Sequence, residues 1–366
     1  MAQSRATAPR RAAAPPTAPH PAYRVIQGDC VSVLAGLARD SVDAVVTDPP
    51  YGIDFQGAHW DGRSIRQAAT QRAGRCLAPG EAYQAWCTQW AAECARVMRP
   101  GAHLVGFGSP RTAHRLACAL EDAGLQLRDT LMWLYGTGMP KSRRLPGGRS
   151  TALKPAYEPI LLARKPLQST TPENLAHHGT GALNAAACST DGRYPANVLA
   201  AHAAGCRRAG CAADCPLRLI DESAARTRTP SASLRQASRV FYCPKASRTE
   251  RDAGCQALPR RPLDLFPNAQ RGQRPAPARN PHPTVKPLAL MRWLIALTTP
   301  EGGLVVDPFC GSGSTGAGAL LEHRRFIGVE LEPSFAAIAR ARLAHWAHAE
   351  GSDEAGERRP LRPPPA

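Results

Sequence analysis

Two short loop motifs, each directly after an apolar run rich in valine, constrain the fold of this chain most strongly. DPPYG occupies 48–52 and follows Val42–Thr47, and DPFCGSGST occupies 307–315 and follows Leu304–Val306. An apolar run that ends in proline and glycine is typical of a buried strand that passes into a loop. Because such strands alternate with segments of helical periodicity, we expect an α/β protein with a doubly wound, mostly parallel sheet.

The predicted elements fall into two groups with an irregular segment between them. The first group comprises strands at Tyr23–Gly28, Val42–Thr47 and His103–Phe107, helices at Val31–Leu37, Glu81–Met98 and Arg111–Ala123, and a hairpin of Leu131–Leu134 with Pro159–Ala163. The second comprises a helix at Leu288–Leu297, strands at Leu304–Val306 and Phe326–Val329, and helices after Gly313 and from Ser334. The irregular segment, 166–280, is rich in proline, glycine, serine and arginine and is expected to be an insertion into the sheet.

The net charge of +17 is concentrated in the middle of the chain. Residues 140–280 carry 23 basic and 9 acidic side chains, whereas 22–139 carry 11 of each kind and 281–366 carry 9 of each kind. A localised basic stretch is expected of a protein that binds a polyanion such as nucleic acid. An arginine-rich surface that reflects genome composition is the alternative, and the neutral flanks argue against it.

Both ends of the chain, 1–21 and 351–366, are predicted to be disordered tails. The first lacks acidic residues, so a transit peptide is an alternative there. No run approaches the roughly 20 apolar residues that span a bilayer, so no membrane association is expected. The 12 cysteines occur without a secretion signal, which favours a reducing cytoplasm and free thiols over a disulfide framework.

The residue types of the first motif suit an exocyclic amino group. Such a nitrogen is a poor nucleophile because its lone pair is delocalised into the ring. Asp48 and the carbonyl of Pro49 would accept its two N–H bonds, which favours a pyramidal nitrogen. Both prolines would hold the loop extended, and Tyr51 would stack on a base. Taken alone, the motif also fits a structural turn.

The second motif suits a nucleoside. Gly311 and Gly313 would allow a ligand to approach the backbone closely. Glu330 ends the next predicted strand and would bind the two ribose hydroxyls. Asp29 ends the first strand and would accept a hydrogen bond from an adenine amino group, with a helix cap as the alternative role.

Together with HPTVKP at 282–287 and GVELEP at 328–333, these motifs resemble the amino-DNA methyltransferases that use S-adenosylmethionine, in the permuted (beta) order. The resemblance covers roughly residues 23–346. It implies a Rossmann-like class I methyltransferase fold, with a seven-stranded sheet and an inserted target-recognition region. The implied division of the chain is a catalytic half at 22–165, a basic target-recognition region at 166–280 and a cofactor-binding half at 281–350.

The resemblance also implies the site residues. The catalytic ones are Asp48, Pro49, Pro50 and Tyr51. The residues that would hold S-adenosylmethionine are Asp29, Cys30, Thr284, Lys286, Pro287, Asp307, Phe309, Gly311, Gly313 and Glu330. Cys310 departs from the bulkier residue often found in this loop, which leaves the backbone role of the loop intact.

Double-stranded DNA is the expected partner, and the target base would have to flip out of the duplex to reach such a pocket. Phosphate contacts are expected from Arg63, Arg66, Lys141, Arg143, Arg144, Arg239, Lys245 and Arg248. The first two lie within 54–75, which is predicted to be a mobile loop that orders over the substrate; a plain surface loop is the alternative.

The basic region contains four candidate metal ligands within one stretch of 14 residues: His202, Cys206, Cys211 and Cys215. They would form a structural zinc site that stabilises a stretch poor in apolar residues. Their spacing is not the usual paired CxxC, so free thiols are the alternative.

Site-specific adenine-N6 methylation of DNA is the favoured function. In the family that the chain resembles, Asp at the first catalytic position more often accompanies adenine, and Ser accompanies cytosine. Cytosine-N4 methylation is the nearest alternative; RNA or protein-amide methylation and a non-catalytic DNA-binding role are more distant ones. A bacterial or phage-encoded cytoplasmic protein is expected, with a homodimer and a restriction endonuclease as candidate partners.

Overall fold

The computed structural model of the protein describes residues 22–54, 59–135, 145–153, 155–189, 194–200, 215, 218, 241–243, 245–261 and 277–350. Within these residues, one open sheet holds nine strands. They are β1 (Tyr23–Gln27), β2 (Val42–Thr47), β3 (Met98–Phe107), β4 (Gln126–Leu134), β5 (Tyr157–Arg164), β6 (Val198–Ala200), β7 (Phe241–Tyr242), β8 (Leu304–Asp307) and β9 (Arg325–Glu330). Their order across the sheet is β1-β9-β8-β2-β3-β5-β4-β6-β7.

Helices cover both faces of this sheet. Those of the described residues include α1 (Cys30–Ala35), α2 (Arg63–Ala73), α3 (Pro79–Val97), α4 (Ala113–Asp122), α5 (Thr171–His178), α6 (Arg248–Asp252), α7 (Leu288–Thr298), α8 (Ser314–Leu321) and α9 (Pro333–Glu350). Side chains of α7, α8 and α9 form one hydrophobic core with one face of the strands. Side chains of α1, α3 and α4 form a second core on the opposite face. The predicted doubly wound α/β architecture is therefore confirmed.

The sheet is larger than the seven strands expected from the sequence. β6 and β7 come from the basic segment and extend the β4 edge in parallel, with Leu199 opposite Trp133 and Phe241 opposite Leu199. Strands of two and three residues carry no detectable alternation, which explains why the sequence did not predict them. β4 and β5 pair antiparallel, as the predicted hairpin requires.

The sheet reverses its winding between β8 and β2. From β8 the chain passes through α8 to β9 on one side, and from β2 it passes through α3 to β3 on the other side. Ligands of open α/β sheets bind outside the carboxyl ends of the strands at such a switch point. Both sequence motifs begin there, and the hydroxyl of Thr47 donates to Asp307 Oδ1 at 2.6 Å. The switch point therefore joins the two motifs directly.

The prediction of a loop over 54–75 was wrong for most of that stretch. A short 3-10 turn at His59–Asp61 leads into α2, whose buried residues Ile65 and Ala69 lie one turn apart. Ile65 packs in the same core as Tyr83 of α3. The arginine-rich helix has only these two apolar anchors, too few for a clear helical period in the sequence.

Part of the segment predicted as a target-recognition region packs on the sheet. The side-chain amide of Asn174, in α5, is buried and donates to the carbonyls of Pro100 and Thr180 at 2.9 and 2.8 Å. The backbone N–H of Asn184 donates to Leu297 at the end of α7. The described residues around α5 therefore belong to the packed body of the fold. Within the described chain, no helix combines the length and the apolar character of a membrane span.

Candidate active site

The loop after β2 is held from both sides. The hydroxyl of Tyr83, in α3, donates to the carbonyl of Pro50 at 3.1 Å, and the hydroxyl of Thr112 donates to the carbonyl of Tyr51 at 2.7 Å. Tyr83 is 1% exposed, so its position is set by the core. These two hydrogen bonds hold the backbone of the DPPY motif and therefore set the orientation of the Tyr51 side chain.

Asp61, which was not predicted as a site residue, also holds this loop. Its Oδ1 accepts the backbone N–H groups of Tyr51 and Gly52 at 2.5 and 3.0 Å, and its Oδ2 accepts that of Ile53 at 3.3 Å. The carboxylate is 1% exposed. A carboxylate that binds consecutive backbone N–H groups stabilises a tight turn. The sequence carries no periodic signal for this role, because Asp61 lies ten residues after Tyr51 and outside the motif.

A buried ionic cluster surrounds Asp48. The ammonium of Lys286 lies 2.6 Å from Asp48 Oδ2 and 3.3 Å from Oε2 of Glu158. The hydroxyl of Tyr51 donates to Asp48 Oδ1 at 2.8 Å and lies 3.2 Å from Glu158 Oε2. Tyr135 donates to the other oxygen of Glu158 at 3.1 Å. Two carboxylates thus contact one ammonium, and each carboxylate also accepts from a tyrosine hydroxyl. The cluster carries one net negative charge when Asp48, Glu158 and Lys286 are all ionised.

The two carboxylates of the cluster differ in proton affinity. Burial raises the pKa of Asp48 above its ordinary value, against the pull of Lys286. Burial acts in the same direction on Glu158, but Lys286 and Lys245 outweigh it and hold the pKa of Glu158 below its ordinary value. Burial alone would lower the pKa of Lys286, yet Asp48 and Glu158 raise it, so the ammonium stays charged. Of the two carboxyl groups, Asp48 therefore takes up a proton more readily, and Glu158 is the one that stays an anion.

Two members of this cluster differ from the expectations. Lys286 was predicted to line the cofactor, which stays a prediction, and the structure brings its ammonium onto the carboxylate of Asp48. Glu158 was not singled out, although one signal for it exists in the sequence. It is an acidic residue at the start of the strand YEPILLAR, whose centre is apolar, and a charge that is buried there is costly unless it is paired.

Glu330 braces the glycine-rich loop. Its Oε2 accepts the backbone N–H of Gly311 at 2.8 Å, and its Oε1 accepts that of Glu332 at 2.8 Å. Gly311 and Gly313 adopt the left-handed conformation, with φ of 51° and 80°. Each carboxylate oxygen of Glu330 keeps a second lone pair for a hydroxyl donor. The same side chain can therefore shape the loop and accept bonds from a ribose.

Asp307 has an internal role in the structure. It is 1% exposed, and its oxygens accept bonds from the hydroxyls of Thr47 and Thr315 and from the backbone N–H of Phe309. Burial raises its pKa to about 6, against the hydroxyl donors. These contacts make Asp307 a brace that ties β8, α8 and the β2 end together. The direct cofactor contact that the resemblance implies stays a prediction.

Asp29 and Cys30 lie where the first strand ends. Asp29 caps α1, because its Oδ1 accepts the backbone N–H and the hydroxyl of Ser32, both at 2.9 Å. The backbone N–H of Gly28 donates to the carbonyl of Glu330 at 2.9 Å, which places Asp29 beside the end of β9. The thiol of Cys30 is buried, and burial raises its pKa to about 12. Asp29 thus caps α1 in the structure, and it lies just beyond the carboxyl end of β1, as the sequence predicted.

The other predicted cofactor residues, Phe309, Thr284 and Pro287, have local contacts in the structure. Phe309 packs against Trp86 and Trp90, with ring centroids 5.5 and 5.4 Å apart. The backbone N–H of Thr284 donates to Nδ1 of His282, and Pro287 immediately precedes α7. Leu331 is 61% exposed directly after Glu330. An exposed apolar side chain beside a strand-end carboxylate fits the flat base and the ribose of a nucleoside, so the residues present suit S-adenosylmethionine.

Substituting Gly311 by alanine is expected to weaken cofactor binding at least tenfold and to destabilise the fold. A Cβ at this position would lie 2.6 Å from Nε2 of His282, in addition to the left-handed strain. Isothermal calorimetry with S-adenosylmethionine and a thermal melt measure the two effects. Gly302→Ala is the matched control, because Gly302 has a φ of 66° and no atom within 4 Å of the added carbon. Equal losses in both variants would contradict the steric argument.

The predicted DNA contacts divide into described and undescribed residues. Arg66 forms a bidentate pair with Asp54, at 2.7 and 3.1 Å. Arg63 is exposed at the start of α2, and Arg248 is exposed at the start of α6. The ammonium of Lys245 lies 3.9 Å above the ring of Tyr135, at the rim of the ionic cluster. The remaining candidates, Lys141, Arg143, Arg144 and Arg239, lie outside the described residues.

The zinc hypothesis falls mostly on residues that the structure does not describe. His202, Cys206 and Cys211 lie outside them, and only Cys215 is described, with its side chain buried. Among the described residues no group of three or more histidine, cysteine or acidic side chains has the arrangement of a metal site. The zinc site stays a prediction.

A doubly wound sheet whose switch point joins a glycine-rich loop to a proline-flanked acidic loop is the architecture of an α/β methyltransferase. A family model described as DNA methylase, of the N6/N4 kind, matches residues 42–341. The chain therefore belongs to the N6/N4 DNA methylase family.

Individual relatives agree with this assignment. The chain is 26% identical to the type II methyltransferase M.HindIII of Haemophilus influenzae, over 87% of this chain and 94% of the relative. It is 22% identical to the type II methyltransferase M.HpaI of Haemophilus parainfluenzae, over 87% of this chain and 74% of the relative. Among solved structures, the cytosine-N4-specific PvuII DNA methyltransferase is similar in fold, with a TM-score of 0.54, 15% identity and 88% of each chain covered.

Proposed function

We propose that this DNA methyltransferase transfers a methyl group from S-adenosylmethionine to N6 of an adenine flipped out of duplex DNA at a specific sequence. The observation that supports this most directly is the 2.6 Å hydrogen bond between Thr47 and Asp307. It holds the ends of β2 and β8 side by side, so an amino group at Asp48 and a methyl donor at the glycine-rich loop would be neighbours. Such alignment is itself a large contribution to catalysis.

The cofactor would lie across the carboxyl ends of β8, β9 and β1. In this proposal Glu330 accepts the ribose hydroxyls, Leu331 and Phe309 contact the apolar parts, and Asp29 accepts the adenine amino group. The backbone of Gly311 and Gly313 faces the cofactor, while Asp307 acts by bracing the loop. S-adenosylmethionine supplies an electrophilic methyl group on a sulfonium.

The target amino group would bind between Asp48 and the carbonyl of Pro49. Its lone pair forms the new N–C bond as the S–C bond of the donor breaks, and the surplus amino proton passes to the Asp48 carboxylate. The net negative charge of the Asp48, Lys286 and Glu158 cluster favours the positive charge that develops on the nitrogen. Tyr51 would stack on the base, and Asp61, Tyr83 and Thr112 hold the loop in place.

Duplex DNA is the proposed substrate because the pocket takes a single unstacked base. Flipping costs a few kcal/mol, which contacts to the neighbouring phosphates would offset. Arg63, Lys245 and Arg248 are exposed and would supply such contacts. A homodimer and a cognate restriction endonuclease stay predictions from the sequence.

Adenine is proposed over cytosine because Asp occupies the first catalytic position. Cytosine-N4 methylation is the second candidate, and the likeness to the PvuII enzyme concerns the fold alone. Both bases present an amino group beside a ring nitrogen, so the same cluster of side chains suits either.

Expression in a host without DNA methylation, followed by modification-sensitive long-read sequencing, tests the proposal. We expect N6-methyladenine at one short recognition sequence and none with the empty vector. N4-methylcytosine at a defined sequence would replace the first candidate by the second. A genome without either mark, from cells that contain the folded protein, would refute the proposed activity.

A further inference from the structure

We propose that Lys286 is a specificity-determining residue, whose ammonium donates a hydrogen bond to the ring nitrogen beside the amino group of the target base. Asp48 and Lys286 would then act as one acceptor–donor pair. This inference rests on the proposed function and deepens it, because it states how the pocket tells an amino base from an oxo base.

The pair matches the edge chemistry of two bases and opposes that of the other two. Adenine presents an amino donor beside the acceptor N1, and cytosine presents an amino donor beside the acceptor N3. Guanine and thymine present the reverse order, a carbonyl acceptor beside a ring N–H donor. Flipped bases are read at this edge, and a carboxylate next to an ammonium would meet guanine or thymine with acceptor against acceptor and donor against donor.

The distances suit a cyclic pair of hydrogen bonds. Lys286 Nζ lies 2.6 Å from Asp48 Oδ2, so the two groups present an acceptor and a donor side by side. An amino nitrogen and its neighbouring ring nitrogen have a similar separation within the base. The lysine side chain is 7% exposed, so its ammonium is confined to the polar groups that surround it.

One of the three ammonium protons can be given to a base without leaving a buried group unpaired. The other two are directed at Asp48 and at Glu158. The third points to the hydroxyl of Tyr51 at 3.3 Å. That hydroxyl also donates to Asp48 at 2.8 Å, so it keeps a partner when Lys286 turns to the incoming ring nitrogen.

Glu158 is the positioning residue for this lysine. It contacts the ammonium from β5, and it is itself fixed by the hydroxyl of Tyr135. With two carboxylates around one ammonium, Lys286 can donate to a base without adding net positive charge to a site where a cation develops.

A target duplex with 1-deazaadenine in place of the modified adenine tests the inference. This analogue keeps the amino group and replaces N1 by C–H, and it does not make the amino group less nucleophilic. For the full-length wild-type protein we expect kcat/KM for methyl transfer to fall roughly 10–100-fold, the effect of one charge-assisted hydrogen bond. Lys286→Met should be slower on adenine and should methylate both duplexes at nearly equal rates.

Controls separate this inference from the proposed function. Lys165→Met removes a different, partly buried lysine, which pairs with Asp40 and makes no contact with Asp48. This variant should keep the wild-type ratio between the two duplexes. A 7-deazaadenine duplex alters the opposite edge of the base and should be methylated like adenine. Equal wild-type rates on adenine and 1-deazaadenine overturn the role of Lys286 and leave the proposed function standing, and this comparison needs no variant to fold. Failure to methylate the adenine duplex overturns the function itself; if cytosine is the target, 3-deazacytosine is the corresponding probe.

Discussion

Asp48→Ala is expected to lower the rate of methyl transfer by at least roughly 10³-fold while leaving the affinity for S-adenosylmethionine within a few fold of wild type. The carboxylate would accept the amino N–H and then the surplus proton. Glu158, the other carboxylate that contacts Tyr51 and Lys286, comes from β5 and not from the loop that carries Pro49. The cofactor loop has its own braces in Glu330 and Asp307, so it should survive the change. Single-turnover transfer of labelled methyl and calorimetric cofactor binding measure the two quantities.

Two matched variants sharpen this expectation. Asp48→Asn keeps an oxygen acceptor for the amino group but loses the proton acceptor, so it should fall between alanine and wild type. Asp40→Ala removes a carboxylate that pairs with a lysine elsewhere on the fold, and its activity should stay near wild type. Wild-type-like modification by Asp48→Ala would show that the amino group is activated by another residue.

The architecture was largely predictable because its signals are local. The strands at Val42–Thr47 and Leu304–Asp307 are short and rich in valine, and α7 buries nearly every side chain, so both kinds of element stand out in the sequence. The motifs then place Asp48 and Gly311 at strand ends. Their meeting at one switch point follows from parallel strand order, and this was expected from the fold that the motifs resemble.

The contacts inside the site were predictable only in part, because they depend on side chains far apart in the chain. Lys286 and Asp48 are separated by 238 residues, and the sequence alone does not reveal that the lysine of HPTVKP contacts the loop after β2. Glu158 lies outside all of the sequence motifs. Asp307 was expected to contact the cofactor because it begins a glycine-rich motif, and only its burial shows that its bonds are internal. Local pattern predicts which edge a residue occupies, and packing decides which way its side chain faces.

Asp61→Ala is expected to lower methyl transfer by roughly 10²-fold, because the loop that carries Tyr51 would lose its anchor and a shift of about 1 Å at a reacting group has that cost. It is also expected to reduce the free energy of unfolding by roughly 2–4 kcal/mol, since three backbone N–H groups, those of Tyr51, Gly52 and Ile53, lose a charged acceptor. Urea unfolding and single-turnover kinetics measure the two effects.

Asp54→Ala provides the comparison for Asp61, because Asp54 lies in the same stretch and its carboxylate is exposed in a surface pair with Arg66. Surface ion pairs contribute little to stability, so this variant should unfold near the wild-type urea concentration. Asp61→Asn should recover part of the loss, because the amide oxygen can still accept from the loop. A matching loss in Asp54→Ala and Asp61→Ala would mean that the whole 54–73 segment, rather than the Asp61 carboxylate, holds the catalytic loop. Loss of stability without loss of rate in Asp61→Ala would confine Asp61 to a structural role, because the loop would then keep its reactive geometry through Tyr83 and Thr112 alone.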